Sequence, residues 1–337
     1  MRHLKCRKNF LSGAVISILA AGVLLVSQQA GAAVVWDMPT PYPEAEFHTK
    51  NIRQFSDDLA RLSGGEMKIK IHSAQSLFKH PEIKRAVRTG QVPIGEMLMA
   101  NLQNEDPLFA ADVIPFLATS HKHARALWKV QRPYIEARLR KRGMRLLYAV
   151  PWPGQGFYLK SPIRNVGDMK GVRFRTYNAA TARLAELMGA VPTIVEAVEI
   201  PQAFATGIVE AMVTSGATGV RAKAWDFVGN FYDLNAWLPK NMVVVNERAF
   251  RRLSDKQRSV LLESARLAEA RGWKMSADVA GSSVRELAAN GVEVHAPNSE
   301  IVQQLGALGR RIVDEWLASA GPDGRALLSE YNDSQRK

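Results

Sequence analysis

Two arginines stand two residues apart in the stretch KGVRFRTYNAAT (Lys170–Thr181), one on each side of Phe174. Residues i and i+2 of a strand share a face, so Arg173 and Arg175 would set two cations on one side of a sheet. Two cations beside an aromatic are either a solvated edge or an anchor for something anionic. Strand periodicity does not choose between these readings, nor between the two arginines.

Catalytic chemistry has no comparable foothold. There is no Gly-x-Ser-x-Gly elbow, no His-Glu-x-x-His, no phosphate-binding loop and no Gly-x-Gly-x-x-Gly after a strand. His121 and His123 could suggest a metal pair, but residues i and i+2 of a helix do not face each other. The turn TSGATG (Thr214–Gly219) follows a strand without the Lys-Ser/Thr of a phosphate loop, so it reads as a place where a ligand comes close to backbone. A binding protein fits these residues better than an enzyme. The alternatives are a secreted enzyme on a two-lobed α/β scaffold and a ligand-sensing module for a membrane kinase.

The N-terminus reads as a secretory signal. Arg2, Lys5, Arg7 and Lys8 precede an uncharged apolar run of 17 residues, Phe10 to Val26, and then Ala30-Gly31-Ala32. That predicts cleavage before Ala33 and a periplasmic location, where the competing reading is an N-terminal membrane anchor. The only cysteine, Cys6, lies in this leader, so the mature chain has no disulfide and no thiolate metal site. Taking the four leader cations from 45 leaves 41 basic against 32 acidic residues, a balance of +9. This favours anionic partners in general. The cations are interspersed with acids, which does not indicate nucleic acid.

Strands and helices alternate along the rest of the chain. The alternation predicts strands at Val34–Met38, Met67–His72 and Gln91–Met97, and helices at Glu46–Leu62 and Pro81–Arg88. Two helices are expected between Ser120 and Gly143, followed by a strand ending at Pro151. Strands GFYLK, VRFRT, IVEAMVTS and NMVVVN follow, with helices at Asn178–Met188 and near Ile200–Gly207. Ser254-Asp255-Lys256-Gln257 is a capping box opening a helix to about Ala289, with a break expected near Gly272 or Gly281. Strand Val292–His295 and two helices end the chain. The pattern argues for α/β with mostly parallel sheets. It restarts after Pro153, so two lobes are expected, 33–152 plus 239–278 and 153–238 plus 279–337, after a leader at 1–32.

Gly167–Val195, GDMKGVRFRTYNAATARLAELMGAVPTIV, resembles the signature region of the solute receptors of tripartite ATP-independent periplasmic (TRAP) transporters, the DctP family. Other stretches follow the family order: FSDDLARLSGGEMKIKI, AVRTGQVPIGEM, DVIPFLATSHKHARAL and NMVVVNERAFRRLSDKQRSVLLESA. The resemblance implies a type II periplasmic-binding-protein-like fold, two α/β lobes with a hinge and a long connecting helix. It also implies capture of a small organic acid, delivery to small and large membrane permease subunits, and no enzymatic activity.

The family register places the carboxylate-binding arginine at Arg175, which would fork onto the ligand with two parallel hydrogen bonds, and leaves Arg173 as framework. Asn178 falls on a family position near the ligand. Gln155 stands where a second arginine often lies, which points to a monocarboxylate, a 2-oxo or a 2-hydroxy acid. Val213-Thr214 replace the Glu-Trp pair with which some members hold a metal. No metal or other cofactor is therefore implied, and Thr214 and Ser215 are expected as hydroxyl contacts. Ala197 replaces a frequent aromatic. His48 and Glu96 from the first lobe, and Asn241 at the head of NMVVVN, are further expected contacts. Trp152 and Phe116, with Trp36, Trp225 and Trp237, lie near strand ends or lobe crossings. Together they suggest a bulky, even aromatic, monocarboxylate.

Overall fold

The alternation of MKIKIH appears directly in a computed structural model, which describes residues 33–336. Met67, Ile69 and Ile71 point inward from that strand, and Lys68 and Lys70 point to solvent. The expected leader and its cleavage site lie outside the described residues. Strand β1 (Val34–Pro39) pairs in parallel with this strand, β2 (Met67–His72), across helix α1 (Phe47–Leu62). Helix α1 buries Phe47, Ile52, Phe55 and Leu59 at helical spacing, and ends where Gly64 and Gly65 take φ of 62° and 85°. Helix α2 (His80–Thr89) and strand β3 (Ile94–Leu98) follow. Helix α3 (His121–Lys141) starts at Ser120, whose hydroxyl accepts the His123 amide N–H. It is one helix where two were expected. Pro133 is carried within it, and the chain turns only at Gly143, into β4 (Met144–Pro151).

The second half supplies β5 (Gln155–Leu159), β6 (Arg173–Thr176), α4 (Ala179–Leu187), β7 (Val191–Ile194) and α5 (Ile200–Ala205). Then come β8 (Ala211–Ser215), α6 (Gly216–Arg221), β9 (Asn230–Tyr232), β10 (Lys240–Asn246) and α7 (Glu247–Arg252). Helix α8 (Asp255–Ala289), strand β11 (Glu293–His295) and helix α9 (Ser299–Gln335) complete the chain. The fold is the two-lobed α/β arrangement. One lobe is built on the sheet β3-β10-β4 with β1 beside β3, the other on the six-stranded sheet β11-β9-β5-β8-β6-β7.

The sheets are mixed rather than mostly parallel. β10 runs antiparallel to β3 and β4, and β5 antiparallel to β8 and β9. Parallel pairs occur where a helix returns the chain, as between β6 and β7. β5 and β10 are the strands on which the chain enters each lobe from the other. No helix precedes them to set their direction. The two crossings are bonded to each other: the Trp152 amide donates to the Pro239 carbonyl at 2.7 Å and the Gln155 amide to the Trp237 carbonyl at 3.0 Å. A buried ion pair pins the second crossing, with the Lys240 amide 2.7 Å and its Nζ 3.5 Å from Asp112 Oδ2.

Helix α8 is unbroken. It packs on α1 and β4 and also on α6 and β11, so it ties the two lobes. The C-terminal segment is two helical pieces joined at Gly321 (φ 62°) and Pro322. Its second piece packs Leu327, Leu328 and Tyr331 against Leu108, Ile114 and Leu127, back on elements of the first half of the chain.

The two glycines of α8 play different parts. A Cβ at Gly272 would run into Val150 and come within 2.7 Å of Asn51 Nδ2, whereas one at Gly281 would meet only Arg285 Nη1 at 3.4 Å. Alanine improves helix propensity by up to about 1 kcal/mol. Gly281→Ala should therefore raise unfolding stability by up to about 1 kcal/mol. Gly272→Ala should lower it by roughly 1–3 kcal/mol, because overpacking outweighs propensity. Urea unfolding of the two variants checks the difference in sign.

Candidate functional site

Arg173 and Arg175 share a face of β6 but not a depth. Arg173 lies at the exposed start of the strand, pairs with Glu210 at 2.7 Å and donates to the Gly207 carbonyl at 3.0 Å. Arg175 sits between β7 and β8, opposite Thr193 and Met212, and is 2% exposed. Its Nε donates to the Val195 carbonyl at 3.0 Å and its Nη1 to the Val213 carbonyl at 3.2 Å. The Tyr177 ring lies 5.3 Å from its Cζ. Among the described residues no carboxylate is within ion-pair distance, and Nη2 has no protein acceptor. Burial pulls its pKa down to about 10, which leaves it charged at neutral pH.

Arg175 faces a small cavity walled by both lobes. Residues of the second lobe on its wall are Arg175, Tyr177, Glu196, Thr214 and Ser215, with Ala197 and Thr218 beside them. The first lobe adds Tyr42, His80 and Leu98, and the crossings add Trp152, Gln155 and Pro239. The β8–α6 turn places the hydroxyls: Ser215 caps α6 by accepting the Thr218 amide N–H at 3.3 Å. Gln155 donates one Nε2 hydrogen to the Pro153 carbonyl at 2.9 Å. Five of the expected contacts thus meet on one wall: Arg175, Gln155, Thr214, Ser215 and Trp152.

Three others form a layer behind it. Glu96 Oε1 accepts from Asn241 Nδ2 at 2.8 Å, its Oε2 accepts from the Thr40 hydroxyl, and His48 Nδ1 lies 3.5 Å from Oε1. Asn241 Oδ1 in turn accepts from Trp152 Nε1 at 2.9 Å and from the Tyr42 hydroxyl at 3.2 Å. His48 packs its ring 4.4 Å from that of Trp152. These residues hold the aromatic wall in place and do not line the cavity. Strand β3 reads IGEML, where glutamate alternates onto the face behind Tyr42, a direction that depends on which face of the sheet covers the cleft.

Asn178 caps α4, with Oδ1 accepting the Thr181 amide N–H at 2.9 Å, and borders a neighbouring groove. Its Nδ2 is buried without a partner. Phe116 lies outside the wall: it takes φ 61°, donates its amide to the Ala236 carbonyl and packs in the second lobe's core beside Gly309. Trp36 and Trp225 pack with core clusters, and Trp237 donates its indole N–H to the Tyr177 hydroxyl at 2.8 Å.

Tyr42, His80, Leu98, Tyr177, Glu196, Thr218 and Pro239 were not foreseen as cavity residues. No local pattern singles them out, since each reaches the wall from a different loop or element end. His80 and Glu196 meet across the lobes, Nδ1 to Oε2 at 3.1 Å. Arg221 and Glu46 do the same, Nε to Oε2 at 3.1 Å, and Arg221 Nη2 also donates to the Ala197 carbonyl at 2.9 Å.

The layer behind the wall carries a pH signature. Burial raises the Glu96 pKa from 4.5 to about 7, only partly opposed by the Thr40 and Asn241 donors. Burial also holds His48 well below 6.5. A carboxyl whose folded pKa exceeds its unfolded value binds its proton more tightly when folded. Its contribution is full below about pH 4.5 and is lost as pH rises through about 7. At 1.36 kcal/mol per unit this loss is at most about 3 kcal/mol. Glu96→Gln should flatten the fall in stability between pH 4.5 and 7, read as the variant-minus-native difference in urea midpoint across that range. An unchanged pH slope would refute the assignment.

The sequence profile of the family described as bacterial extracellular solute-binding protein, family 7 (DctP), matches residues 40–319. Among solved structures, the chain is similar to DctP6 of Bordetella pertussis, an extracytoplasmic solute receptor binding pyroglutamic acid. Identity is 43% over 89% of this chain and 100% of that one, with a TM-score of 0.88. DctP7 of the same organism, also binding pyroglutamic acid, is 44% identical with the same coverage and TM-score. A marine metagenome TRAP solute-binding protein in complex with co-purified pyroglutamate is 40% identical over 89% of this chain and 99% of that one, TM-score 0.88. The expected resemblance is therefore met over the whole described fold, and the chain belongs to the DctP family of TRAP solute-binding proteins.

Proposed function

We propose that this receptor captures a small cyclic monocarboxylate of the pyroglutamate class at Arg175 and delivers it to the small and large membrane subunits of a TRAP permease for secondary active uptake. It reaches the periplasm by loss of its leader before Ala33. The supporting observation is the state of Arg175, a cation almost removed from water with two main-chain acceptors and, among the described residues, no carboxylate within ion-pair distance. Burying a charge without a partner is costly, so an anionic ligand in this cavity gains more than it would at a surface. No arginine at position 155 accompanies it, which favours one carboxylate over two.

The aromatic-acid reading gives way to a smaller ring. Of the five large aromatics expected near the cleft, only Trp152 lies on the wall. The 40–44% identical receptors were solved with pyroglutamate, a compact lactam acid. The remaining polar wall, Thr214, Ser215 and Gln155, would meet the ring's oxygen and rim. Among the described residues no nucleophile hydrogen-bonded to a base stands beside Arg175, and the reading is a receptor.

Isothermal titration should show pyroglutamate binding, with mandelate, phenylpyruvate, succinate and sialic acid much weaker. Arg175→Ala should weaken binding by roughly 100-fold or more, as loss of one partner of a buried charged pair costs about 3–5 kcal/mol. Arg175→Lys should also weaken it, because an ammonium does not fork onto a carboxylate. Unchanged affinity in a folded Arg175→Ala protein would overturn the anchor.

A further inference from the structure

Among the described residues, two charged groups on the cavity wall each have an edge without a protein partner, and they have opposite character. One is the Nη2 edge of Arg175, which asks for an acceptor. The other is Glu196 Oε1, which asks for a donor. Glu196 Oε2 is already taken by His80 Nδ1 at 3.1 Å, while no donor to Oε1 occurs among the described residues and the side chain is 25% exposed. We infer that Glu196 is the residue that selects the cargo: the site takes a carboxylate whose neighbouring atom carries an N–H, and turns away isosteres with an oxygen or a second carboxylate there. This rests on Arg175 being the carboxylate anchor.

The tautomer of His80 makes the demand on Glu196 specific. His80 Nε2 faces the Leu98 amide N–H at 3.2 Å and Asn101 Nδ2 at 3.4 Å, so Nε2 is an acceptor and carries no proton. The ring proton is therefore on Nδ1 and points at Glu196. His80 has no further N–H for a ligand, and it cannot reverse the polarity of Oε1. Burial pushes the Glu196 carboxyl up, while His80, through its hydrogen bond and charge, and then Arg175 draw it below its usual range. Tyr42 has given its hydroxyl proton to Asn241, and Gln155 has committed one of its two Nε2 hydrogens to the Pro153 carbonyl.

Glu196 and Arg175 are near enough to feel each other's charge but form no ion pair. They remain two separate demands on whatever lies between them. A lactam acid, with its N–H on the carbon that bears the carboxylate, answers both. The lactone of the same shape sets a ring oxygen against Oε1, which leaves a buried acceptor facing a lone pair. A dicarboxylate sets charge against like charge.

The test compares L-pyroglutamate with its lactone isostere, 5-oxotetrahydrofuran-2-carboxylate, by isothermal titration of the wild-type protein and of Glu196→Gln. Wild type should prefer the lactam by roughly 10- to 100-fold, the penalty for leaving one buried acceptor unpaired. Glutamine keeps an oxygen for the His80 N–H and turns an amide N–H toward the ligand, so Glu196→Gln should bring the preference below about 3-fold or reverse it. The wild-type comparison stands even if the variant misfolds. Equal wild-type affinity for the two acids overturns this inference and leaves the cargo reading intact. A folded Glu196→Gln protein that keeps the full preference also overturns it. Wild type that takes neither acid but binds another carboxylate through Arg175 overturns the pyroglutamate reading and this inference together.

Discussion

A guanidinium taken almost out of water is the constraint around which the rest of this structure is arranged. Arg175 gives up hydration and receives two main-chain carbonyls, from Val195 and Val213. Those dipoles fix the orientation of the fork but do not neutralise it. One carbonyl follows the end of β7 and the other lies within β8, so the strands on either side of β6 aim the charge. Arg173, one turn of the pleat earlier, has the same chemistry and a surface carboxylate for company. Depth along the strand, not residue type, separates an anchor from a framework residue.

That constraint connects the site to the crossings between lobes. β5 and β10 enter their sheets antiparallel to their neighbours, and the segments before them bond to each other at Trp152–Pro239 and Gln155–Trp237. Trp152 and Gln155 are therefore hinge and wall at once. The lobes are also joined at His80–Glu196 and Glu46–Arg221, from loop and helix ends that only an approach of the lobes brings together. An opening of the cleft would break these pairs, and a ligand with contacts on both sides would favour the form in which they are made.

Polarity on the wall is managed by what stands behind it. Asn241 accepts from Trp152 and Tyr42 and donates to Glu96. Two aromatic side chains are thereby held by their polar tips while their apolar faces look into the cavity. Glu96 and His48 sit close together with burial opposing charge on both. Titratable residues of this kind, read in sequence as ligand contacts, serve here as support one layer back.

Much of the architecture was legible because short-range rules carry it. Strict alternation marks β2, Ser120 and Ser254 mark helix starts, and Gly64-Gly65 marks a stop. The three-residue β9 was not legible, since it is too short for alternation to show, and neither was the continuity of α3 past Pro133 or of α8 past Gly272. Gly272 looked like a break and is a close approach, where Val150 and Asn51 leave no room for a Cβ. The proposed anchor was legible only through resemblance to a family, which separated Arg175 from Arg173 where period-2 geometry could not.

By itself the sequence determined most of the order of strands and helices, the absence of cysteine beyond Cys6 and the presence of a cation on β6, because these follow from residue identity and nearest-neighbour geometry. The tertiary structure alone decided that Glu96, His48 and Asn241 stand behind the wall, that Phe116 joins the core, and that Glu196 and His80 face the cavity. The physical reason is that burial and hydrogen-bond partnership are properties of the closed pair of lobes. Glu196 and His80 are 116 residues apart in the chain and 3.1 Å apart in space, and no local rule links them until the two sheets are brought together.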